Sequence, residues 1–319
     1  MRYLDFEKPI FELEKKISEL KEFADSENLE ISNEIAVLTK RLDKLQREIY
    51  QELTRWQKVK IARHPNRPYT LDYIEKIATD FIEIHGDRGY ADDKAIVVGF
   101  ADIGGNKVLV VGQQKGRDVK QRQYRNFGMC HPEGYRKALR GFTLADRFNL
   151  PIVIFIDTPG AYPGIGAEER GQAEAIARNI REMCRLKVPI VVVVIGEGAS
   201  GGALGIGIGD RVYMLENSWY SVISPEGCAA ILWKENPQEK YEIAADALKI
   251  TAEDALRLGV VDEIIPEPLG GAHRNPEAVF NAVRGYILKA LNELKAIGVS
   301  ELMKRRIEKY RKIGIYREI

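Results

Sequence analysis

Hydrophobic positions change their period once along the chain. Up to residue 62 they recur at helical spacing: Ile10, Leu13, Ile17 and Leu20, then Ile35, Leu38, Leu42, Leu45, Ile49 and Trp56, with charges between them and a polar interruption at Asp25-Ser26-Glu27-Asn28. The pattern predicts a helical hairpin. Each helix carries one narrow apolar stripe, so the hairpin must pack on the main body or on another chain. From Ala95 onward, short apolar runs alternate with amphipathic stretches. Ala95 to Ala101 and Lys107 to Gly112 flank Gly104-Gly105-Asn106, a hairpin turn. Pro132 to Asn149 reads as a helix leading to the buried strand Ile152 to Asp157. Glu168 to Leu186 reads as a second helix leading to the strand Pro189 to Ile195. Two such steps in succession predict an α/β fold with parallel strands and crossover helices. Val212 to Leu215, Ser221 to Ile223 and Val260 to Ile265 are strand-like. Thr251-Ala252-Glu253-Asp254 resembles a capping box, and Pro276 to Ala296 is an amphipathic helix with a basic tail. The boundaries expected are 1–62 for the hairpin, 63–275 for the α/β domain and 276–319 for a C-terminal helical segment.

Composition narrows the function classes. The 319 residues are 45% hydrophobic, and 48 Lys+Arg against 47 Asp+Glu leave a formal charge of +1. Nothing in that balance points to nucleic acid or an acidic membrane. The start, Met1 to Phe6, has no apolar signal stretch, and the longest apolar run, Ile190 to Ile195, is too short to span a bilayer, so the expected location is the cytoplasm. Cys130, Cys184 and Cys228 are widely spaced and read as reduced, buried thiols. His85 and His131 lack spaced partners, so no metal site is expected.

The most informative stretch is Val191 to Asp210, where a buried strand runs into Gly196-Glu197-Gly198-Ala199-Ser200-Gly201-Gly202-Ala203. Glycine lets main chain approach a ligand, and the free N–H groups of a helix's first turn favour an oxyanion. Three other readings compete. Gly196, Gly198 and Gly201 fit G-x-G-x-x-G with Glu216 downstream, but the following helix is short and glycine-rich for a dinucleotide crossover. Ser200 fits G-x-S-x-G with Asp262 and His273 following in hydrolase order. A purely structural turn is the third. A second glycine-rich segment, Asp157-Thr158-Pro159-Gly160-Ala161-Tyr162-Pro163-Gly164, follows the preceding strand, and two consecutive parallel strands open their turns onto one sheet edge, which favours a site. Asp157-Thr158-Pro159-Gly160 also fits the D-x-x-G of GTPases, but no phosphate-binding G-x-x-x-x-G-K-[ST] precedes it.

Asp157 to Gly164, Gly196 to Gly209 and Val222-Ile223-Ser224-Pro225-Glu226-Gly227 together resemble the carboxyltransferase α subunits of multi-subunit acetyl-CoA carboxylases. Ile84 to Arg88, Arg125 to Met129, Pro132 to Ala138, Ala255 to Ile265 and Pro266 to Pro276 extend the resemblance over nearly the whole chain. Ala199 stands where the family often has glycine, and would be strained if that position needs a positive φ; Gly205 stands where it often has alanine. The resemblance implies a crotonase-like superhelix of β-β-α units behind an N-terminal helical hairpin. It also implies an α2β2 assembly with a zinc-ribbon β subunit, whose cysteines this chain lacks. The implied reaction transfers a carboxyl group from carboxybiotin, held on a biotin carboxyl carrier protein that biotin carboxylase charges, to acetyl-CoA. The product is malonyl-CoA, the first committed step of fatty acid synthesis.

On this resemblance the N–H groups of Gly201 and Gly202 stabilise the biotin oxyanion. Gly160, Ala161, Tyr162, Ser200 and Ala203 shape the cleft, and Ser224, Pro225, Glu226 and Gly227 form a second wall. The last four equally fit a plain helix start with Ser224 as cap. Lys115, Arg117, Lys120, Arg122 and Arg125 are candidates for CoA phosphates or an acidic carrier surface, against the ordinary reading of a solvated charged face. A stand-alone crotonase-type hydratase, with no obvious carboxylate pair, and a non-catalytic scaffold are the remaining rivals.

Overall fold

The structure, a computed structural model, describes residues 3–27 and 31–314; Met1, Arg2 and Asn28 of the segments discussed above lie outside the described residues. Helices α1 (Lys8–Glu27) and α2 (Ser32–Gln51) form the expected hairpin. The helix runs on through Asp25, Ser26 and Glu27, because a short run of polar residues without glycine or proline does not by itself end a helix. Trp56 belongs to a separate helix, α3 (Arg55–Ala62), which Thr54 opens with a capping box to Gln57. α1 buries Ile10 and Ile17, and α3 buries Val59, Ile61 and Ala62. α4 (Thr70–Ile77) follows.

The strands are β1 (Thr79–Glu83), β2 (Ile96–Ile103), β3 (Asn106–Gln113), β4 (Ile152–Thr158), β5 (Ile190–Ala199), β6 (Arg211–Leu215), β7 (Trp219–Ser221) and β8 (Glu263–Ile265). They make one sheet of order β1-β2-β3-β4-β5-β6-β8, with β7 pairing to β5. β1, β2 and β3 are antiparallel neighbours. Ile103 pairs with Asn106 across Gly104 and Gly105, whose φ values of 59° and 83° are those of a two-residue hairpin turn. From β3 onward the pairs are parallel.

The intervening helices are α5 (Val119–Tyr124), α6 (Pro132–Arg147), α7 (Ile165–Glu169), α8 (Gln172–Met183), α9 (Ser200–Leu204), α10 (Pro225–Leu232), α11 (Tyr241–Leu248) and α12 (Ala252–Arg257). α13 (Pro276–Lys295) and α14 (Val299–Arg311) close the chain. The helix expected over Glu168 to Leu186 is two helices, separated at the left-handed Gly171. The capping box is present, with the Thr251 side chain accepting from Asp254 N.

Alternate strand residues serve two cores. Ile152, Ile154, Ile156, Ile190, Val192 and Val194 pack in one cluster with Tyr135, Phe142 and Met183 of α6 and α8. Val153, Phe155, Val191, Val193 and Ile195 face Tyr73, Phe280 and Ile287 of α4 and α13. Burial on both faces is why these strands read as unbroken apolar runs. The basic tail is α14, and its Arg306 is buried, bonded to the Asp210 carboxylate at 2.7 and 2.8 Å and to the carbonyls of Met183, Leu186 and Val188.

β5 departs most from expectation. It does not stop at Ile195: its last residues, Glu197, Gly198 and Ala199, pair with Trp219, Tyr220 and Ser221 of β7, so Gly196 and Gly198 are strand residues. Gly198 is pressed against the Tyr220 ring, where an added Cβ would come within 2.2 Å. β7 correspondingly ends at Ser221 and leaves Val222 and Ile223 outside the sheet, while β8 begins only at Glu263.

Candidate active site

The two glycine-rich segments do open onto one sheet edge. β4 and β5 end side by side, Thr158 opposite Gly198, and the chain beyond them lines an open cleft of about 680 Å³. Gly160, Ala161, Tyr162, Ser200, Gly201 and Ser224 all line it, joined by Ile176, Gln172, Val222 and Ile223. Gly202 and Ala203 lie behind that surface, buried. Gly202 packs onto the neighbouring loop so closely that an added Cβ would lie 2.4 Å from the carbonyl carbon of Gly160 and 2.6 Å from Ala161 N.

Ala199 is extended at φ −110°, so alanine is unstrained there; the left-handed residue is Ser200, at φ 57°. Ser200 opens α9, and no acceptor among the described residues takes the N–H of Gly201 or Gly202. First-turn amides of a helix have no intrahelical partner, which leaves these two for a ligand.

Side chains invisible to the motif reading hold this floor. Gln113, buried at the end of β3, donates Nε2 to the Gly202 carbonyl at 2.7 Å and accepts Asp157 N–H at 3.1 Å, tying both segments together. Asn179 of α8 donates to Gly205 O at 2.9 Å and to Tyr135 O at 3.0 Å. The Thr158 hydroxyl lies 2.7 Å from the carbonyls of Gly128 and Gly160 and accepts Gly160 N–H at 3.1 Å. Tyr162 stacks on His131 at 4.1 Å, and His131 N donates to Asp93. The only signal in the sequence for Gln113 is a polar residue ending an apolar strand, where ligand edges of such sheets lie.

Beneath the floor is a buried ionic network. Lys115 sits 2.6 Å from Asp157 and 2.5 Å from Glu197, so its ammonium is held inside the fold between two carboxylates. Burial alone would raise the Glu197 pKa, but Lys115 and Arg63 override it and hold the group at about 2. Burial raises the pKa of Asp157, which Lys115 only partly offsets. Of the other basic candidates, Arg117 pairs with Asp72 and lies over Tyr69, Arg122 donates to Gly116 O, and Arg125 donates to Lys94 O. Glu226 turns to Arg63, Pro225 is buried, and Gly227 N donates to the Ser224 hydroxyl at 3.1 Å, the cap geometry of a helix start.

The rival chemistries are not assembled. His273 stacks on His64 at 4.0 Å and lies near Glu7, whereas Asp262 pairs with Lys309; no histidine lines the cleft around Ser200. The dinucleotide reading fails on β5, because its first glycines are paired strand, and on Glu216, which accepts Glu267 N–H. Two carboxylates, Glu168 and Glu174, do reach the cleft, which the sequence did not suggest; both are exposed. Among the described residues no group of three or more His, Cys, Asp or Glu is arranged to hold a metal, and no helix is long and apolar enough to cross a membrane.

Comparisons with known proteins place the chain in a family. A family profile described as "Acetyl co-enzyme A carboxylase carboxyltransferase-like" matches residues 3–314. A protein of Flavobacterium johnsoniae named acetyl-coenzyme A carboxylase carboxyl transferase subunit alpha is 55% identical over 319 residues, covering 100% of each chain. A protein of the same name from Geobacter metallireducens is 57% identical over 315 residues, covering 99% of this chain and 98% of its own.

Among solved structures, the transcarboxylase 12S hexamer core is similar with TM-score 0.57 at 22% identity, over 83% of this chain and 46% of that one. The β subunit of P. aeruginosa geranyl-CoA carboxylase gives TM-score 0.56 at 18% identity, over 78% and 46%. The crotonase-like α/β fold expected from the sequence is the fold shared with these carboxyltransferases. With the profile spanning the described chain almost end to end and relatives more than half identical along it, this chain belongs to the acetyl co-enzyme A carboxylase carboxyltransferase family.

Proposed function

We propose that this chain is the α half of an acetyl-CoA carboxyltransferase, moving a carboxyl group onto acetyl-CoA to give malonyl-CoA with a β subunit completing the site. Carboxybiotin, carried by a separate protein, supplies the carboxyl group. The observation that carries the reading is the pair of N–H groups at Gly201 and Gly202, left without an acceptor beside an open cleft and fixed from behind by Gln113. Preorganised amides stabilise a developing oxyanion without reorganising, and losing one typically costs about 3 kcal/mol of barrier. In this reading they face the ureido oxygen of biotin, with Ile176, Tyr162, Ile223 and Ser224 as walls that exclude water.

The finer parts of the reading are a zinc-ribbon β partner, an α2β2 assembly, docking of the carrier protein and biotin carboxylase, and a cytoplasmic setting. Division at residues 62 and 275 belongs with them. Of the basic cluster, Lys120, Arg122 and Arg125 fit CoA phosphates or an acidic carrier best, having no carboxylate partner among the described residues.

The test is reconstitution. The isolated chain forms no malonyl-CoA and does not hydrate enoyl-CoA, whereas addition of the β partner, carboxybiotin and acetyl-CoA gives malonyl-CoA. Enoyl-CoA hydration by the isolated chain would instead point to Glu168 and Glu174. Absence of malonyl-CoA from the complete mixture would remove the proposal.

A further inference from the structure

One guanidinium joins the two sides of the cleft. Arg63, at the C-terminal end of α3, donates Nε to Glu197 at 2.6 Å, in the glycine-bearing end of β5, and its two terminal nitrogens to the Glu226 carboxylate, in the first turn of α10. Its planar face lies over Trp56 of α3 and Trp219 of β7, with Cζ 5.9 and 5.6 Å from the ring centroids. Trp219 is itself the strand partner of Glu197.

The wall segment Val222, Ile223 and Ser224 therefore hangs between two anchors. At one end β7 pairs with β5; at the other, Glu226 is held by Arg63. Within it, Ile223 N reaches the Ser221 hydroxyl only at 3.4 Å and Val222 is 73% exposed, while Ser224 is tied to the start of α10 by the N–H groups of Gly227 and Cys228. A planar five-donor fork grips one carboxylate with two nitrogens while its Nε holds another, fixing their relative orientation in a way that a freely rotating ammonium does not.

We propose that Arg63 is a positioning residue of the cleft, setting the distance between the Gly201–Gly202 floor and the Val222–Ser224 wall and so linking the N-terminal helices to the site. This rests on the carboxyltransferase reading for its kinetic consequence but not for its structural one. Arg63 touches no substrate in this arrangement; it acts through Glu226 and the start of α10.

The test uses the full chain in complex with its β partner, as the parent, Arg63→Lys, Glu226→Gln and the double variant. Amide hydrogen exchange over residues 222–232 is expected to accelerate about tenfold in each single variant, with exchange in β2 to β4 unchanged. With malonyl-CoA as donor and free biotin as acceptor, KM for biotin rises about tenfold while kcat stays within about threefold. The double variant is no worse than either single one, because both remove the same link.

Unchanged exchange over 222–232 in Arg63→Lys overturns the proposal. So does faster exchange with KM unaltered, since a merely structural bond would behave that way. If the parent complex transfers no carboxyl group, the function proposed above fails, while exchange still decides whether Arg63 holds the wall.

Discussion

The floor and the wall of the cleft are built by opposite means. Around Gly201 and Gly202, buried side chains from three separate elements, Gln113, Tyr135 and Asn179, bond to main-chain carbonyls, and the backbone of one loop lies directly on that of the other. Across the cleft, Val222 is 73% exposed, and the segment is carried by β7 and by the start of α10, which an ionic fork ties to α3 beside its buried Pro225 and Ala229. The difference follows from what each side presents. A floor that offers main-chain amides must fix their direction, and only buried, fully bonded backbone does so. A wall of apolar side chains needs only to be held at a distance.

The most damaging change to the floor should be Lys115→Met. Removing the ammonium leaves Asp157 and Glu197 buried with only Arg63 nearby, and breaking such a network from one side typically costs about 3–5 kcal/mol. Urea denaturation at pH 7 measures it. The gap between parent and variant should narrow in acid. Glu197 has its folded pKa depressed to about 2 from 4.5, so its contribution is present above pH 4.5 and is lost as pH falls toward 2. A gap that stays constant between pH 6 and 3 would show that the network does not stabilise the floor.

Gly202→Ala comes next. Its new Cβ would meet backbone rather than a flexible side-chain end, so the Gly160–Ala161 loop must move; overpacking of this kind costs about 1–3 kcal/mol. The shift displaces the amides themselves, and kcat in the reconstituted complex should fall at least about a hundredfold, in line with the effect of losing an oxyanion donor. A variant of near-parent kcat would mean that the floor tolerates displacement and is no different in kind from the wall.

What the sequence made legible was local. The Gly104-Gly105 hairpin, the Thr251 box and the apolar runs of β4 and β5 each depend on neighbours a few residues away, and all appear where periodicity put them. The cleft residues at Gly160–Tyr162, Ser200–Gly201 and Ser224 followed from glycine clusters at strand ends. The polar residues that hold them could not be found that way. Gln113 bonds to Gly202 and Arg63 to Glu226, partners far apart in the chain, and Lys115 looked like one more surface cation because its carboxylates come from two other strands. The same reason moved the end of β5: glycines at 196 and 198 signal a turn locally, whereas β7 captures them as strand.

Ser200 provides the finest discrimination between floor and wall. It holds φ 57°, a conformation that a residue with a Cβ adopts at a cost of about 1–2 kcal/mol, and it does so at the junction where β5 becomes α9. Such strain persists only where the surroundings over-determine the backbone, which is the property claimed for the floor. Ser200→Gly should therefore stabilise the chain by about 0.5–1 kcal/mol, less than the full strain because glycine also loosens the unfolded chain. Urea denaturation reads this directly. The same variant separates the chemistries, since a serine nucleophile would lose all turnover, whereas a floor acting through main-chain amides should lose less than about tenfold in kcat. A destabilised Ser200→Gly would mean that the serine side chain, and not the fold around it, sets this turn, and the contrast with the wall would then rest on a single residue.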